Sequence, residues 1–518
     1  MAFSYQNPIL RGMYPDPSIV RVEDTFYLVN STFEYYPGIA LSKSTDLLNW
    51  TKLPSIVTEV SQADLRSSKS NEGIFAVCIR YHDGHFYVIT TNFAEFKNFI
   101  IRGTLSDDGR HIIWERNRVV VDIFGIDPDL FFENGRAYVQ FTGYIDNKGT
   151  KAIQQVEIDI TSGTILKGPK VLSLGTGGRD VEGPHIIKRN DWYYLLAAEG
   201  GTGLGHMITM FRSKSLWGPY EEAPQNPLFT NRDRADEPLQ NIGHADLFQD
   251  ASDNWWLTCL GTRPTAIDHI QITNIGRETL LYPADWSTEW PSIYNGTPTL
   301  TVDLTDFPEH AKTLKNQDLT DFVDDFSEDK LHPEWVSLRD SLTARLSLTN
   351  GTLILSGSSL TLSNVGTPSF LALRQTEHQE KFTIDIDTKE TKINNGAIGI
   401  AVTINTDHYG ALLIEKGDTE GTYHIFKVAK VLDLEIKERI ATIEQLPEQL
   451  VLEHGKDYKR FSALLDHKTI TFDLHAQHFS NEAIAALNTG DFQGMYVLDD
   501  AKLVVVHASR KVLLDNER

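Results

Sequence analysis

The chain has 518 residues, 41% of them hydrophobic, enough material for two packed cores of ordinary size. Asp plus Glu number 71 against 48 Lys plus Arg, and the net charge of −23 argues against nucleic acid or an anionic membrane surface as a partner. The two cysteines, Cys78 and Cys259, sit far apart in apolar runs, with no disulfide framework and no metal spacing. No stretch reaches the roughly 18 apolar residues of a membrane span. Residues 1–13 show no basic segment followed by a long apolar one, so the expectation is a soluble, cytoplasmic protein. A substrate from outside the cell would then arrive as a small imported fragment.

In chain order, the first informative stretch is Tyr14-Pro15-Asp16-Pro17-Ser18-Ile19-Val20, followed by a turn and Phe26-Tyr27-Leu28-Val29. Proline on each side holds Asp16 on a stiff, extended segment just ahead of a strand. The layout recurs. Phe75-Ala76-Val77-Cys78-Ile79 is followed by Asp83-Gly84 and an aromatic strand, and Asp127-Pro128-Asp129-Leu130 by Asn134-Gly135 and another. Glu182-Gly183-Pro184-His185 leads to Asn190-Asp191 and Trp192-Tyr193-Tyr194, and His244-Ala245-Asp246-Leu247 to Asp253-Asn254 and Trp255-Trp256. Asp-Gly and Asn-Gly between alternating apolar runs are hairpin signals. The leading residues 16, 75, 127, 182 and 244 are spaced by 59, 52, 55 and 62 residues. Units of that size with several short strands predict four-stranded blades, hence a five-bladed β-propeller. First strands line a propeller's channel, so the five leading residues should converge at one mouth.

The repeats are expected to end near Tyr282, with residues 283 to 322 an irregular tether on the propeller. From Asp324 onward, period-two strands such as Phe382–Asp387 and Ala397–Val402 alternate with polar turns and predict an antiparallel β-sandwich. Only the segment from about Asn481 to Leu487 suggests a short helix. The expected division is a propeller over 1–305, a linker over 306–322 and a sandwich over 323–518.

Three leading residues, Asp16, Asp127 and Glu182, are acids at what the repeat count makes equivalent points. Burying three carboxylates together is costly, but glycosidic hydrolysis uses a pair, one activating water and one donating a proton. A third acid can raise the donor's pKa by like-charge repulsion.

The chain resembles glycoside hydrolase family 43, in the group of β-xylosidases and α-L-arabinofuranosidases with a C-terminal, concanavalin-like sandwich. The motifs are Asn7-Pro8-Ile9-Leu10, Tyr14 to Ser18, Ser31-Thr32-Phe33-Glu34, Ile126-Asp127-Pro128, Glu182-Gly183-Pro184-His185, Ala198-Glu199-Gly200-Gly201-Thr202, Gly243-His244-Ala245-Asp246 and Gly276-Arg277-Glu278-Thr279. The resemblance implies an inverting, exo-acting glycosidase that releases terminal α-L-arabinofuranosyl or β-D-xylosyl units from short oligosaccharides. It implies Asp16 as general base, Asp127 as the acid that tunes and orients the donor, and Glu182 as general acid. It also implies Arg277 holding sugar hydroxyls and Phe33 walling the pocket. Phe75 stands where many relatives carry tryptophan, which bears on sugar preference. His244 matches a histidine in the channel below the acids. In some members that residue belongs to a hydrated calcium site, so a structural calcium there is left open and no cofactor is required. A homo-oligomer is also left open. The rival readings are an endo-arabinanase-like or other five-bladed glycosidase, and a non-catalytic sugar-binding propeller.

Overall fold

A computed structural model describes residues 3–319, 321–486 and 489–513. The first half forms five antiparallel sheets, each laid down in sequence order from the axis outward. Their innermost strands are Ser18–Val22, Ile74–His82, Ile126–Glu133, Glu182–Arg189 and Gln240–Gln249. The predicted turns close the hairpins: Asp83-Gly84 and Asn134-Gly135 both take positive φ, as a tight two-residue turn between twisted strands requires.

Period-two alternation packs the blades on one another. In the second blade, Val77, Ile79, Phe86 and Val88 face Tyr27, Val29 and Leu41 of the first. The intervening Cys78, Tyr87 and Ile89 face Leu130, Val139 and Phe141 of the third. The same interleaving joins the third blade to the fourth, and one large cluster joins the fourth, fifth and first. The ring is closed by the N-terminal segment. Ser4–Gln6 pairs with Thr301–Asp303, and the Asn7 side chain bonds both backbone groups of Leu281.

The fifth blade runs past Tyr282. Its third strand is Glu278–Asp285 and its outermost strand Ser292–Ile293, so the expected end of the repeats falls short. The sequence signal fails because Trp286, Trp290, Pro291 and Pro298 give the segment an irregular pattern with no strand period. Trp286 is instead buried against Tyr194 and Trp255. The following segment carries a one-turn helix, Pro308–Ala311, whose His310 packs on Trp256.

The second domain is a β-sandwich. Its long strand Phe492–Val512 pairs with Lys392–Asn405 through residues 492–502 and with Glu380–Ile386 through 505–512, so one strand joins both layers. Alternate side chains from the layers fill a single core that includes Leu353, Phe382, Ile400, Leu452, Phe461 and Val505. The predicted short helix is Asn481–Ile484, and Leu487 lies outside the described residues. Cys78 and Cys259 are free and buried. Among the described residues no helix is long and apolar enough to cross a membrane.

The domains share an extensive polar seam. Ser337–Leu338 pairs with Tyr35–Tyr36 of the propeller, and Tyr35 stacks on Phe492. The Arg374 guanidinium donates to the Met13 carbonyl and lies over the Tyr14 ring. Arg263 bridges Glu278 of the fifth blade and Glu377 of the sandwich.

Candidate active site

At one mouth of the channel, a pocket of about 790 Å³ contains all seven residues picked from the sequence: Asp16, Phe33, Phe75, Asp127, Glu182, His244 and Arg277. A one-residue bulge places four of them, Phe75, Asp127, Glu182 and His244. In blades two to five the inner strand loses register with its neighbour at its head, between Ile74 and Val77, Ile126 and Asp129, Glu182 and His185, and Gly243 and Asp246. Bulges of this kind re-aim side chains near active sites. Asp127, Gly183 and His244 take left-handed backbone conformations at that point, and so does Asp16 at the head of the first blade.

One expectation needs correcting. The three acids do not occupy equivalent positions. Glu182 stands in the slot of Ile126, and the slot of Asp127 is taken in its blade by Gly183. A β-carbon on Gly183 would lie 3.0 Å from the His244 ring, a tight approach at a positive φ, so the slot favours glycine over a side chain. The acid comes from the preceding residue, and the longer glutamate arm brings it to the same pocket.

The environments of the acids differ. Asp16 is buried, accepts a hydrogen bond from the Ser31 hydroxyl, and has Arg277 Nη1 at 3.1 Å from its Oδ1. Burial alone would raise its pKa, but the charges of Arg277 and His244 and the Ser31 bond hold it below the ordinary aspartate value. Glu182 is pushed the other way, up to about 8, by burial first and then by the charge of Asp127. Asp127 is itself raised, by burial and then by Asp16, against the opposing pull of His244.

The structure adds residues that the sequence did not single out. His206 donates from Nδ1 to the Asn241 carbonyl, because a carbonyl oxygen can only accept. Its Nε2 is buried without a protein partner and stands 4.0 Å from Glu182 Oε1. Burial drops the His206 pKa to about 4, so the ring is neutral at pH 7. It lies so close against Gly243 that a β-carbon there would come within 2.2 Å. Lys151 faces Glu182 while pairing with Asp180 at 2.7 Å, and Thr202 Oγ1 accepts from Arg277.

The sandwich supplies part of the wall. Asn481, Glu482, Ala485 and Ala486 line the pocket. The Glu482 carboxylate accepts from the Thr273 amide and hydroxyl at 2.7 and 2.9 Å, and Asn481 donates to the Thr273 carbonyl. Asn274 donates to the carbonyls of Ala476 and Phe479. The segment that delivers Arg277 is thus clamped from the other domain. No repeat or motif could have announced this, since the partners lie about 200 residues apart.

Below the acids the channel is plugged. Arg80 reaches Asp129 at 2.9 Å and Asp246 at 3.0 Å, His185 Nδ1 lies 3.2 Å from Asp129, and Ser18 donates to Asp246. Cys78, Asp129 and His185 come close enough to hold an ion, but the Arg80 guanidinium already neutralises that cluster. Calcium takes six to eight oxygen ligands. Among the described residues the carboxylates around His244 are those of the acid site itself or are engaged by Arg80, so a hydrated calcium beside His244 would draw most of its oxygen ligands from water.

Two carboxylates with opposed protonation, facing one polar pocket, can activate a water and protonate a leaving oxygen. The comparisons with known proteins agree. Glycosyl hydrolases family 43 matches residues 5–291, more than half of the chain, and the beta xylosidase C-terminal concanavalin A-like domain matches 323–507. The chain belongs to glycosyl hydrolase family 43. It is 33% identical, over 95% of its length and 91% of the relative's, to a non-reducing end alpha-L-arabinofuranosidase of Bacteroides ovatus. It is 34% identical to a xylosidase/arabinosidase of Butyrivibrio fibrisolvens over 85% of this chain and 84% of that one. A solved xylan beta-1,4-xylosidase from Bacillus halodurans superposes with a TM-score of 0.86 at 26% identity, covering 98% and 99% of the two chains. The family 43 chain is accordingly a glycosidase with a propeller that carries the acids and a sandwich that completes the pocket.

Proposed function

We propose that the enzyme removes single terminal α-L-arabinofuranosyl or β-D-xylosyl units from short, neutral oligosaccharides, with inversion at the anomeric carbon. Asp16 is the general base that takes a proton from the attacking water. Glu182 is the general acid that donates to the departing oxygen. Asp127 keeps Glu182 protonated. Arg277 and Phe33 hold the terminal sugar, with Phe75 beside them. The observation that carries the assignment is the opposed displacement of two carboxyls in one pocket, Asp16 downward under Arg277 and Glu182 upward to about 8. At pH 7 one is ionised and the other protonated, the pairing that an inverting displacement needs.

Relatives named for each sugar, and one named for both, support a pocket that accepts either pentose. The test is a parallel assay of aryl α-L-arabinofuranoside and aryl β-D-xyloside, with proton NMR of the first sugar released. Hydrolysis of at least one, with the opposite anomer appearing first, is expected. Retention of configuration, or no turnover of either, would overturn the assignment.

A further inference from the structure

A row of five phenylalanine rings leaves the pocket and runs out to solvent. Phe33 and Phe75 line the pocket, with centroids 5.5 Å apart. Phe75 stacks on Phe93 at 4.5 Å with the planes within 2°. Phe93 meets Phe96 at 5.7 Å, and Phe96 meets Phe124 at 5.3 Å. Exposure rises outward, from 36% and 38% at Phe93 and Phe96 to 69% at Phe124. Phe124 precedes Ile126 and Asp127 by only a few residues, which places it on the lead-in to the acid site.

These rings are held in place rather than left loose. Phe96 closes a turn on the Phe93 carbonyl with its own backbone at φ 49°, a costly conformation for a bulky residue. Asn92 braces that turn through the Asp64 carbonyl and the Ala94 amide, and Glu95 is locked by Arg118 at 2.6 and 2.8 Å. The buried Asn98 amide donates to the carbonyls of Ile123 and Gly125, gripping the chain on both sides of Phe124. Phe93, Phe96 and Phe124 thus leave contiguous apolar surface on braced backbone at the solvent edge, and such surface marks a binding surface.

We infer that Phe93, Phe96 and Phe124 form an aglycone track, which takes the sugar units beyond the scissile bond of a neutral oligosaccharide. The occupant follows from continuity. An exo-acting pocket holds the terminal sugar and the remaining chain leaves it, and the row of rings is continuous from the pocket lining at Phe75 outward through Phe93. Phenyl faces offer no ionic partner, but they match the apolar C–H face of a sugar ring. The inference rests on the glycosidase assignment above and adds a preference for chain length.

The test compares a disaccharide and a pentasaccharide of the preferred pentose on the full-length enzyme, with Phe96→Ala and Phe124→Ala, both beyond the pocket lining. Wild type is expected to show higher kcat/KM on the pentasaccharide. Each alanine variant should lose about fivefold on it, chiefly through KM, and stay within twofold on the disaccharide. Phe124→Trp should keep the preference. Equal losses on both substrates, or no length preference in wild type, would overturn the track. If no glycoside is turned over, the proposed function fails instead. Calorimetric titration of the pentasaccharide then decides the track: weaker binding by Phe124→Ala than by wild type upholds it, and equal binding overturns it.

Discussion

Arg277 Nη1 and His244 Nδ1 approach the same oxygen of Asp16, Oδ1, at 3.1 and 3.7 Å, while Oδ2 takes the Ser31 hydroxyl. One oxygen therefore carries the electrostatic load and the other is fixed by a neutral donor. Arg277 also lies over the Phe33 ring at 5.7 Å, which ties the charge beside Asp16 to the wall of the pocket.

Removing that charge has a signed consequence. Burial raises the Asp16 pKa and Arg277 is the largest opposing influence, so Arg277→Ala should let it rise. The base works only when ionised, hence the acidic limb of kcat/KM against pH should move to higher pH. The rate at the optimum should fall about 100-fold or more as the sugar also loses a hydrogen-bond partner. Arg277→Lys should shift the limb less. A pH profile measured on an aryl glycoside decides it, and an unmoved acidic limb would show that Arg277 does not ionise Asp16.

Asp16→Ala and Glu182→Gln should fail differently. Water activation is needed whatever departs, so Asp16→Ala should lose roughly 1,000-fold or more on every substrate. Protonation is needed only by poor leaving groups. Glu182→Gln should therefore lose on the order of 100- to 10,000-fold on natural oligosaccharides and far less on a dinitrophenyl glycoside. Kinetics on both substrate types test the pair. Parallel losses for Glu182→Gln would remove it from the acid role.

The sandwich is expected to be indispensable. A chain ending near Asp318 would uncover the seam made by Tyr35, Met13 and Arg263, and would free the Thr273–Arg277 segment from Asn481 and Glu482. Such a fragment should be insoluble or inactive. The milder Glu482→Ala leaves the domains joined and should raise KM several-fold while lowering the melting temperature only slightly. A soluble, fully active fragment would show that the clamp is dispensable.

What could be read from sequence follows from how each feature is encoded. Hairpin turns and period-two strands are local, so the blades and their leading residues were visible in short windows. The fifth blade was cut short because Trp286 and Trp290 find their partners in Tyr194, about 90 residues away. The slot of Glu182 was misassigned for a related reason. Counting repeats aligns it with Asp127, but the strand register places Gly183 in that slot, where the His244 ring crowds any side chain. His206 gave no signal at all. It lies outside the leading strands, and it matters only because Gly243 leaves room for its ring beside Glu182.

Asp127 should set the alkaline side of the pH profile. Its charge is the second influence on Glu182 after burial, and both raise the glutamate toward about 8. Asp127→Asn keeps the side chain's shape and removes that charge, so Glu182 should ionise at lower pH. The acid works only while protonated, and the alkaline limb of kcat/KM should move to lower pH accordingly. The acidic limb moves less, because Asp16 is governed first by burial and by Arg277 and His244. The optimum should narrow and the rate there fall about 10- to 100-fold, since asparagine replaces a carboxylate that receives the Gly183 amide. The substrate must be an oligosaccharide or another glycoside with a poor leaving group, because an activated one would hide the acid. A narrowed profile in Asp127→Asn, with the alkaline side displaced and the acidic side nearly fixed, is the expected result. An alkaline limb identical to wild type would mean that burial alone holds the proton on Glu182.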